Sequence, residues 1–538
     1  MQSLFAQPNP PPESRWKQRW RAQPRWRWPL MEPVPYQVSR WVFLRLLGLI
    51  YLVAFVSLWV QLDGLIGSSG ILPASRLMEL ARAQLDGRIY LFPTLLWVGA
   101  SDAFLHLLTG AGAVLSLLLV AGIAPVVVLA ALWALYLSLS LGGQVFFSFQ
   151  WDTLLLEAGF LAIWIAPLTL WPRAERRAPV AGPALWLLWW LLFRLMFESG
   201  VVKLSSGDPT WADLSALRYH FETQPLPTWI GWHAHQLPAT ELWLAAVALF
   251  VIELAIPFLI FTGTWLRWAA CAAVLMLQIV ILATGNYCFF NLLTIALCVL
   301  LLDDAIWPRR LRRFVTRAGP NAPGKPRCWP GGILVPVSAA LFLVSLPPTT
   351  ALLGMNLPGG SMLSSVYRWL QPFRSINSYG LFAVMTTERP EIIVEGTADG
   401  QNWQPYEFRY KPGDLRRAPA FVAPHQPRLD WQMWFAALGS VEQNPWFLHF
   451  LQSLLRGSHE VEALLGTNPF PNKPPLAVRA IEYDYRFTDP ESRLVTGDWW
   501  RRENPREYCP AVRLNADGQL IRFEPVPTLP VRDPTTSR

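Results

Sequence analysis

Between residues 41 and 346 the chain is a succession of long apolar runs nearly free of charge, and no other feature restricts its fold as much. In hydrocarbon every backbone N–H and C=O must be paired inside its own segment, so an apolar run of about 20 residues is a spanning helix. The segments 41–62, 101–122, 125–145, 152–171, 184–203, 240–262, 264–284, 286–302 and 331–347 meet that description, the second and eighth least well. Segment 88–98 is too short to span and reads as interfacial or re-entrant. The expected fold is an α-helical multi-pass membrane bundle of about nine transmembrane helices. A basic tail, 1–40, precedes the bundle at 41–347; a linker, 348–375, and a soluble region, 376–538, follow it. The first apolar run starts late and is long enough to span, so no cleavable signal is expected.

Charge is thin, at 15% of residues against about a quarter in soluble domains. From residue 347 onward there are 20 basic and 20 acidic residues, leaving 25 basic and 17 acidic before it. The whole net charge of +8 therefore sits on the membrane part and its tails, where it is a topology signal and gives no reason to expect a nucleic-acid partner. Residues 1–40 carry seven Lys/Arg against two acids. Loop 172–183 carries Arg173, Arg176 and Arg177; loop 303–330 carries Arg309, Arg310, Arg312, Arg313, Arg317, Lys325 and Arg327. With nine crossings all three fall on one side, the cytoplasm, and the loop 204–239 and everything after 347 lie outside. Loop 63–100, with Arg76, Arg82 and Arg88, is a minor dissent. The chain has no Asn-X-Ser/Thr sequon, which favours a bacterial inner membrane over the endoplasmic reticulum.

The tail has another pattern. Segments 391–397 and 403–410 flank Asp399-Gly400, a hairpin signal, and 476–488 and 511–524 read as further strands, the last with a turn at Asp517-Gly518. Between them Asn444-Pro445 starts a helix that Gly457 stops, and Ser458 starts a second that runs to Gly466. The reading is a C-terminal extracytoplasmic β-sandwich-like domain with an inserted helical pair. The run Trp446–Leu455 lacks a basic stripe and reads as core. Five cysteines, one of them in the tail, with no CxxC, give no thiol-exchange or zinc motif. No metal and no cofactor are expected.

Charges inside a bilayer cost about 2.5–3.5 kcal/mol each and need a reason. Arg194 and Glu198 are four apart on the fifth span, share a face and can pair; Lys203 stands near the membrane edge, followed by Asp208, Trp211 and His220. The structural reading is an ion pair and an anchoring lysine. The functional reading makes Lys203 a base of lowered pKa, with Glu198 and His220 as further catalytic candidates. Asp152 and Glu157 on the fourth span, and Glu253 on the sixth, complete the polar set with Arg194. Asp102 and His106 could pair, and His233 and His235 form H-x-H, facing one side if on a strand.

The segments FESGVVKLSSGDPTWADLSALRYHFETQPLP (197–227), GNYCFFNLLT (285–294), QPFRSINSYGLFAVMTTERPEIIVEGTADG (371–400), FVAPHQPRLDWQMWFAALG (421–439) and NPFPNKPP (468–475) together resemble the lipase maturation factor family, over about 41 to 490. The resemblance implies a membrane-embedded folding factor that helps secreted lipases reach active form. It also implies a large C-terminal domain on the lumenal side, the eukaryotic members residing in the endoplasmic reticulum membrane. Gly200-x-x-Lys203-Leu204 with Asp208 and Trp211 is more faintly similar to the lysine-bearing stretch of vitamin K-dependent γ-carboxylases, whose bundle belongs to a related horizontally transferred transmembrane superfamily. That likeness carries over Lys203 alone as the base acting on a reduced quinone; the carboxylase has paired lysines, and Val202 stands here.

Two functions follow. One is a non-enzymatic maturation factor whose partners are the lipid bilayer and secreted client proteins such as lipases. The other is a membrane enzyme acting on a lipid- or quinone-like substrate with Lys203 as base. A transporter is a third, but no repeated pair of interrupted helices is found.

Overall fold

The apolar runs fold as helices because lipid offers the backbone no other partner. The structure is a computed structural model and describes residues 34–172, 178–316, 328–355 and 359–524. The basic residues before 34, together with Arg173, Arg176, Arg177, Arg317, Lys325 and Arg327, lie outside the described residues. Helix α1 (Gln37–Trp59) leads into two short helices, α2 (Leu62–Ile66) and α3 (Ala74–Gln84). Segment 88–98 makes two 3-10 turns. Helix α4 (Asp102–Ala121) is capped by the Ser101 hydroxyl on the Phe104 N–H and stopped by Gly122 at φ 77°. Next come α5 (Pro125–Gly142), α6 (Gln150–Ile165) and α7 (Gly182–Ser205). The outer loop forms three short helices, α8 (Pro209–Ala212), α9 (Leu217–Thr223) and α10 (Trp229–His235). Helix α11 (Ala239–Phe250) continues through a π turn, Val251–Ala255, and a 3-10 turn to Phe261. Last in the bundle are α12 (Thr264–Thr284), α13 (Phe290–Val299), the basic α14 (Arg309–Thr316) and α15 (Gly331–Leu352), followed by α16 (Gly360–Leu370).

All nine expected segments hold helix, but among the described residues seven are long and apolar enough to cross a membrane: α1, α4, α5, α7, α11 with its extension, α12 and α15. The two that fall short have local reasons. Helix α6 ends at Ile165 because Ala166 precedes Pro167 and is extended, as residues before proline are. Helix α13 begins only at Phe290, since the preceding stretch makes loop contacts to Leu226 and to the tail. Helix α7 is the centre of the bundle, with 67% of its spanning window buried against 22% for α12 and α15.

The bundle has two chemically distinct ends. At one, Arg40 donates to the carbonyls of Ala178 and Pro179 (both 2.9 Å), and Asp304 accepts from the N–H groups of Gln37 and Val38. The starts of α1 and α7 and the chain after α13 therefore meet there, beside the basic α14. The tail covers the other end.

In the tail, β1 (Arg389–Thr397), β2 (Trp403–Pro405), β5 (Ala477–Phe487), β6 (Trp500–Leu514) and β7 (Leu520–Arg522) form one antiparallel sheet of order β2-β1-β5-β6-β7. Strands β3 (Glu407–Phe408) and β4 (Leu465–Thr467) pair separately, and α20 (Pro490–Thr496) joins β5 to β6. The Asp399-Gly400 and Asp517-Gly518 turns hold their glycines at φ 78° and 74°. Among the described residues the only other sheet has two strands, so no second sheet of sandwich size forms. Helices α17 (Arg428–Ala437) and α18 (Pro445–Arg456) pack on β1 and on β5 and β6 instead. Helix α18 buries Trp446, Phe447, Phe450, Leu451, Leu454 and Leu455, so that run is core. Helix α19 (His459–Glu462) is shorter than expected, and Gly466 belongs to β4.

Candidate functional site

The charges of the bundle gather where the tail docks. Asp152, at the start of α6, takes both arms of Arg428 from the start of α17, at 2.9 and 3.0 Å. The Tyr136 hydroxyl donates to the same carboxylate, and the guanidinium lies 3.5 Å from the centroid of Phe147. Every polar member is buried, so the pair is desolvated, and both carboxylate oxygens are engaged. Around it Ser57 of α1 and Gln61, just before α2, bond the backbone of Gln426 and Arg428, and Trp151 packs edge-on to Trp431 at 4.6 Å.

One turn deeper, Arg194 pairs with Glu157, not with Glu198 as the spacing along α7 suggested. The reason is the segment 374–380, which enters between the helices. Arg194 donates to the Asn377 carbonyl (2.7 Å), while Glu157 accepts from the Asn377 N–H (2.8 Å) and the Tyr379 hydroxyl (2.7 Å). Glu198 accepts instead from the Tyr379 N–H (2.8 Å) and the Thr349 hydroxyl. Gln150 bonds both backbone groups of Gly380.

Lys203, in the last turn of α7, is buried inside the protein. It is 6% exposed, donates to both oxygens of Glu253 (2.9 and 2.8 Å) and to the Ser199 carbonyl (3.1 Å), and so uses its three donors. Glu253 reaches it from the π turn after α11, packed so closely on α7 that a Cβ on Gly200 would sit 3.0 Å from the Glu253 Cβ. His220 and Lys203 line one cavity of about 180 Å³, which Glu253, Trp211, Tyr287 and Asn291 also line. Burial, with a smaller push from Lys203, lowers the His220 pKa to about 4, so the ring is neutral. The structure thus brings Lys203, His220 and Glu253 together; it sets Glu198, Glu157, Arg194 and Asp152 apart from them, against the tail.

Other polar candidates belong to loop packing. His106 bonds Asp63 and Trp59, and Asp102 accepts from Ser68; the two do not meet each other. His233 and His235 lie on helix α10, not a strand, so two-residue spacing turns them apart. No group of three or more His, Cys, Asp or Glu that could hold a metal occurs among the described residues.

Sequence reasoning missed the tail's half of the seam. Arg428, Arg389, Asn377 and Tyr379 carried no local pattern. Arg389 is 1% exposed, donates to the carbonyls of Glu222 and Pro225 (both 2.8 Å) and pairs with Glu391. Asn286 was also passed over. Its side chain donates to the Ala420 carbonyl (2.8 Å) and accepts from the N–H groups of Val422 and Ala423. The usable signal was that buried acids on the spans outnumber the basic residues near them, so partners had to come from elsewhere.

Comparison with known proteins follows the same division. The family model described as lipase maturation factor transmembrane domain matches residues 38–309, and that described as lipase maturation factor C-terminal domain matches 375–510. Lipase maturation factor 2 of Gallus gallus is 38% identical, the alignment covering 93% of this chain and 85% of that protein. Lipase maturation factor 2 of Homo sapiens is 37% identical over 89% of this chain and 83% of that protein. Lipase maturation factor 1 of Bos taurus is 35% identical over 88% and 89%. No solved structure matches the chain.

Proposed function

The chain belongs to the lipase maturation factor family, and from that premise we propose that it is a membrane-embedded maturation factor assisting secreted proteins such as lipases. The observation that carries this is that the relationship runs through both halves and across the seam joining them. The soluble region, 376–538, is the client-facing part; the bundle, 41–347, anchors it through segment 348–375. The basic tail, 1–40, and the loops around 172–183 and 303–330 are cytoplasmic, with the client-facing part periplasmic or lumenal. The meeting of the starts of α1 and α7 beside α14, at the end opposite the tail, supports that topology, with α6 and α13 completing nine crossings. Lys203 acts as half of a structural pair: its donors are filled by Glu253 and Ser199, and no contact favours its use as a base.

The test is to co-express a secreted lipase with the full chain carrying a photo-crosslinking residue at exposed tail positions Leu494, Arg501 or Arg513. Secreted lipase should be captured from the tail, and its activity per molecule should fall several-fold when the factor is removed. Unchanged specific activity together with no capture would refute the proposal.

A further inference from the structure

The cavity beside Lys203 has a composition that selects a ligand. It lies between α7, α11, α12 and α13, at the end of the bundle that carries the tail. Its walls are mainly apolar, with Leu195, Leu249 and Ile281 among them. Ala245 on α11 and Val280 on α12 also line it, and both are exposed on spanning helices. The cavity therefore has its mouth on the flank of the bundle, between two helices long and apolar enough to cross a membrane.

Two acceptors in its wall lack a partner among the described residues, as does the Gln278 amide nitrogen. The Lys203–Glu253 pair is closed on itself and contributes no net charge. Asn291 is 0% exposed; its amide nitrogen donates to Gln278 Oε1 at 2.9 Å, and its Oδ1 is buried with no partner among the described residues. The second group is His220 Nδ1, also buried and unpartnered. The single proton of the Tyr287 hydroxyl goes to Gln224 Oε1 at 2.9 Å, so towards His220 Nε2, at 3.3 Å, the Tyr287 oxygen is an acceptor. The ring proton is then on Nε2, and Nδ1 is a bare acceptor. A buried acceptor left unpaired costs about 1–3 kcal/mol, so two on one apolar cavity call for a donor.

We propose that this cavity binds the hydroxyl-bearing end of a neutral lipid, which donates hydrogen bonds to Asn291 Oδ1 and His220 Nδ1. The absence of net charge disfavours a phosphate or carboxylate head. An engineered apolar cavity of about 150 Å³ holds one benzene, so about 180 Å³ takes a glyceryl head and not a whole lipid. The acyl chain runs out between α11 and α12 into the bilayer. A monoacylglycerol, with two free hydroxyls, matches the two acceptors. The inference stands independently of the maturation role.

The test uses the full chain in phosphatidylcholine nanodiscs, a photoactivatable monoacylglycerol, and the methyl ester of the same fatty acid as a probe with no donor. Labelling should fall on peptides bearing Ala245 or Asn291 and favour the monoacylglycerol about tenfold, the value of a hydrogen bond or two. Ala245→Phe blocks the mouth from an exposed position, leaves packing intact and should abolish labelling; His220→Phe should reduce it several-fold. Equal labelling by the methyl ester, or labelling insensitive to Ala245→Phe, would overturn the proposal. Competition by free glycerol would move the source to the aqueous phase and overturn the lipid assignment.

Discussion

Asp152→Ala tests whether the tail is bolted to the bundle or merely rests on it. The substitution leaves the Arg428 guanidinium buried with no carboxylate, and its remaining partners are the Phe146 carbonyl and, at 3.4 Å, the Tyr136 hydroxyl. Breaking a buried pair from one side costs about 3–5 kcal/mol. In the opening equilibrium of α17 that is about 100-fold to several thousand-fold. Replacing both partners with apolar residues, Asp152→Leu with Arg428→Met, removes the orphaned charge and is close to neutral. Amide hydrogen exchange on the detergent-solubilised chain reads both. Protection of Arg428–Ala437 should fall by at least 100-fold in Asp152→Ala and recover in the double variant, a coupling above about 2 kcal/mol. Less than a tenfold loss, or additive effects in the double variant, would refute the argument and leave the aromatic packing of Trp151 on Trp431 as the main attachment.

Three further outcomes follow from the packing at this seam and within the bundle. A Cβ on Gly64 would lie 2.3 Å from the Glu460 carbonyl oxygen, so Gly64→Ala should cost about 1–3 kcal/mol and lower the thermal midpoint, while Gly263→Ala, in open space, should not. Lys203→Ala should reduce the yield of folded protein by orphaning Glu253, and adding Glu253→Leu should restore it; failure of rescue would mean that Lys203 does more than pair. Burial, with Arg428 and Arg409 nearby, lowers the His425 pKa from 6.5 to about 4, and its Nδ1 meets Ser57 at 2.9 Å. Between those values the unfolded chain binds more protons, so stability is complete above about pH 6.5 and is lost as pH falls toward about 4. His425→Asn should flatten that slope in thermal unfolding at a series of pH values.

What the sequence disclosed and concealed divides by the range of the interaction. The helical runs, the Asp-Gly turns and the core run Trp446–Leu455 are local, and all but two of the nine helical runs stand in the structure at the length their pattern implied. The partners of buried charges are not local. Sequence offers only spacing, and spacing nominated Glu198 for Arg194. The real partner, Glu157, is on another helix, 37 residues away, and Asp152 finds Arg428 at a separation of 276. The sandwich failed for a related reason. Alternation marks strands with one buried face but does not say whether a sheet or helices cover it, and here α17 and α18 do.

The polar groups of the spans fall into two classes that bear on how such a chain assembles. Arg194 with Glu157 and Lys203 with Glu253 are neutralised inside the bundle, so these charges can enter the bilayer as pairs before the tail exists. Asp152 has no basic partner among the described residues of the bundle; its cation is Arg428, 276 residues later. Glu198 takes a backbone N–H from Tyr379 of the same incoming chain. A buried carboxylate without a cation is costly, and for Asp152 that cost falls away only when the tail docks. Docking is therefore driven by pairing of buried charges as well as by burial of Trp431 and its neighbours, and the tail supplies polar partners that the bundle lacks. The split into an anchor and a separable soluble domain, natural from hydropathy, places a boundary through buried, paired contacts such as Asp152 with Arg428.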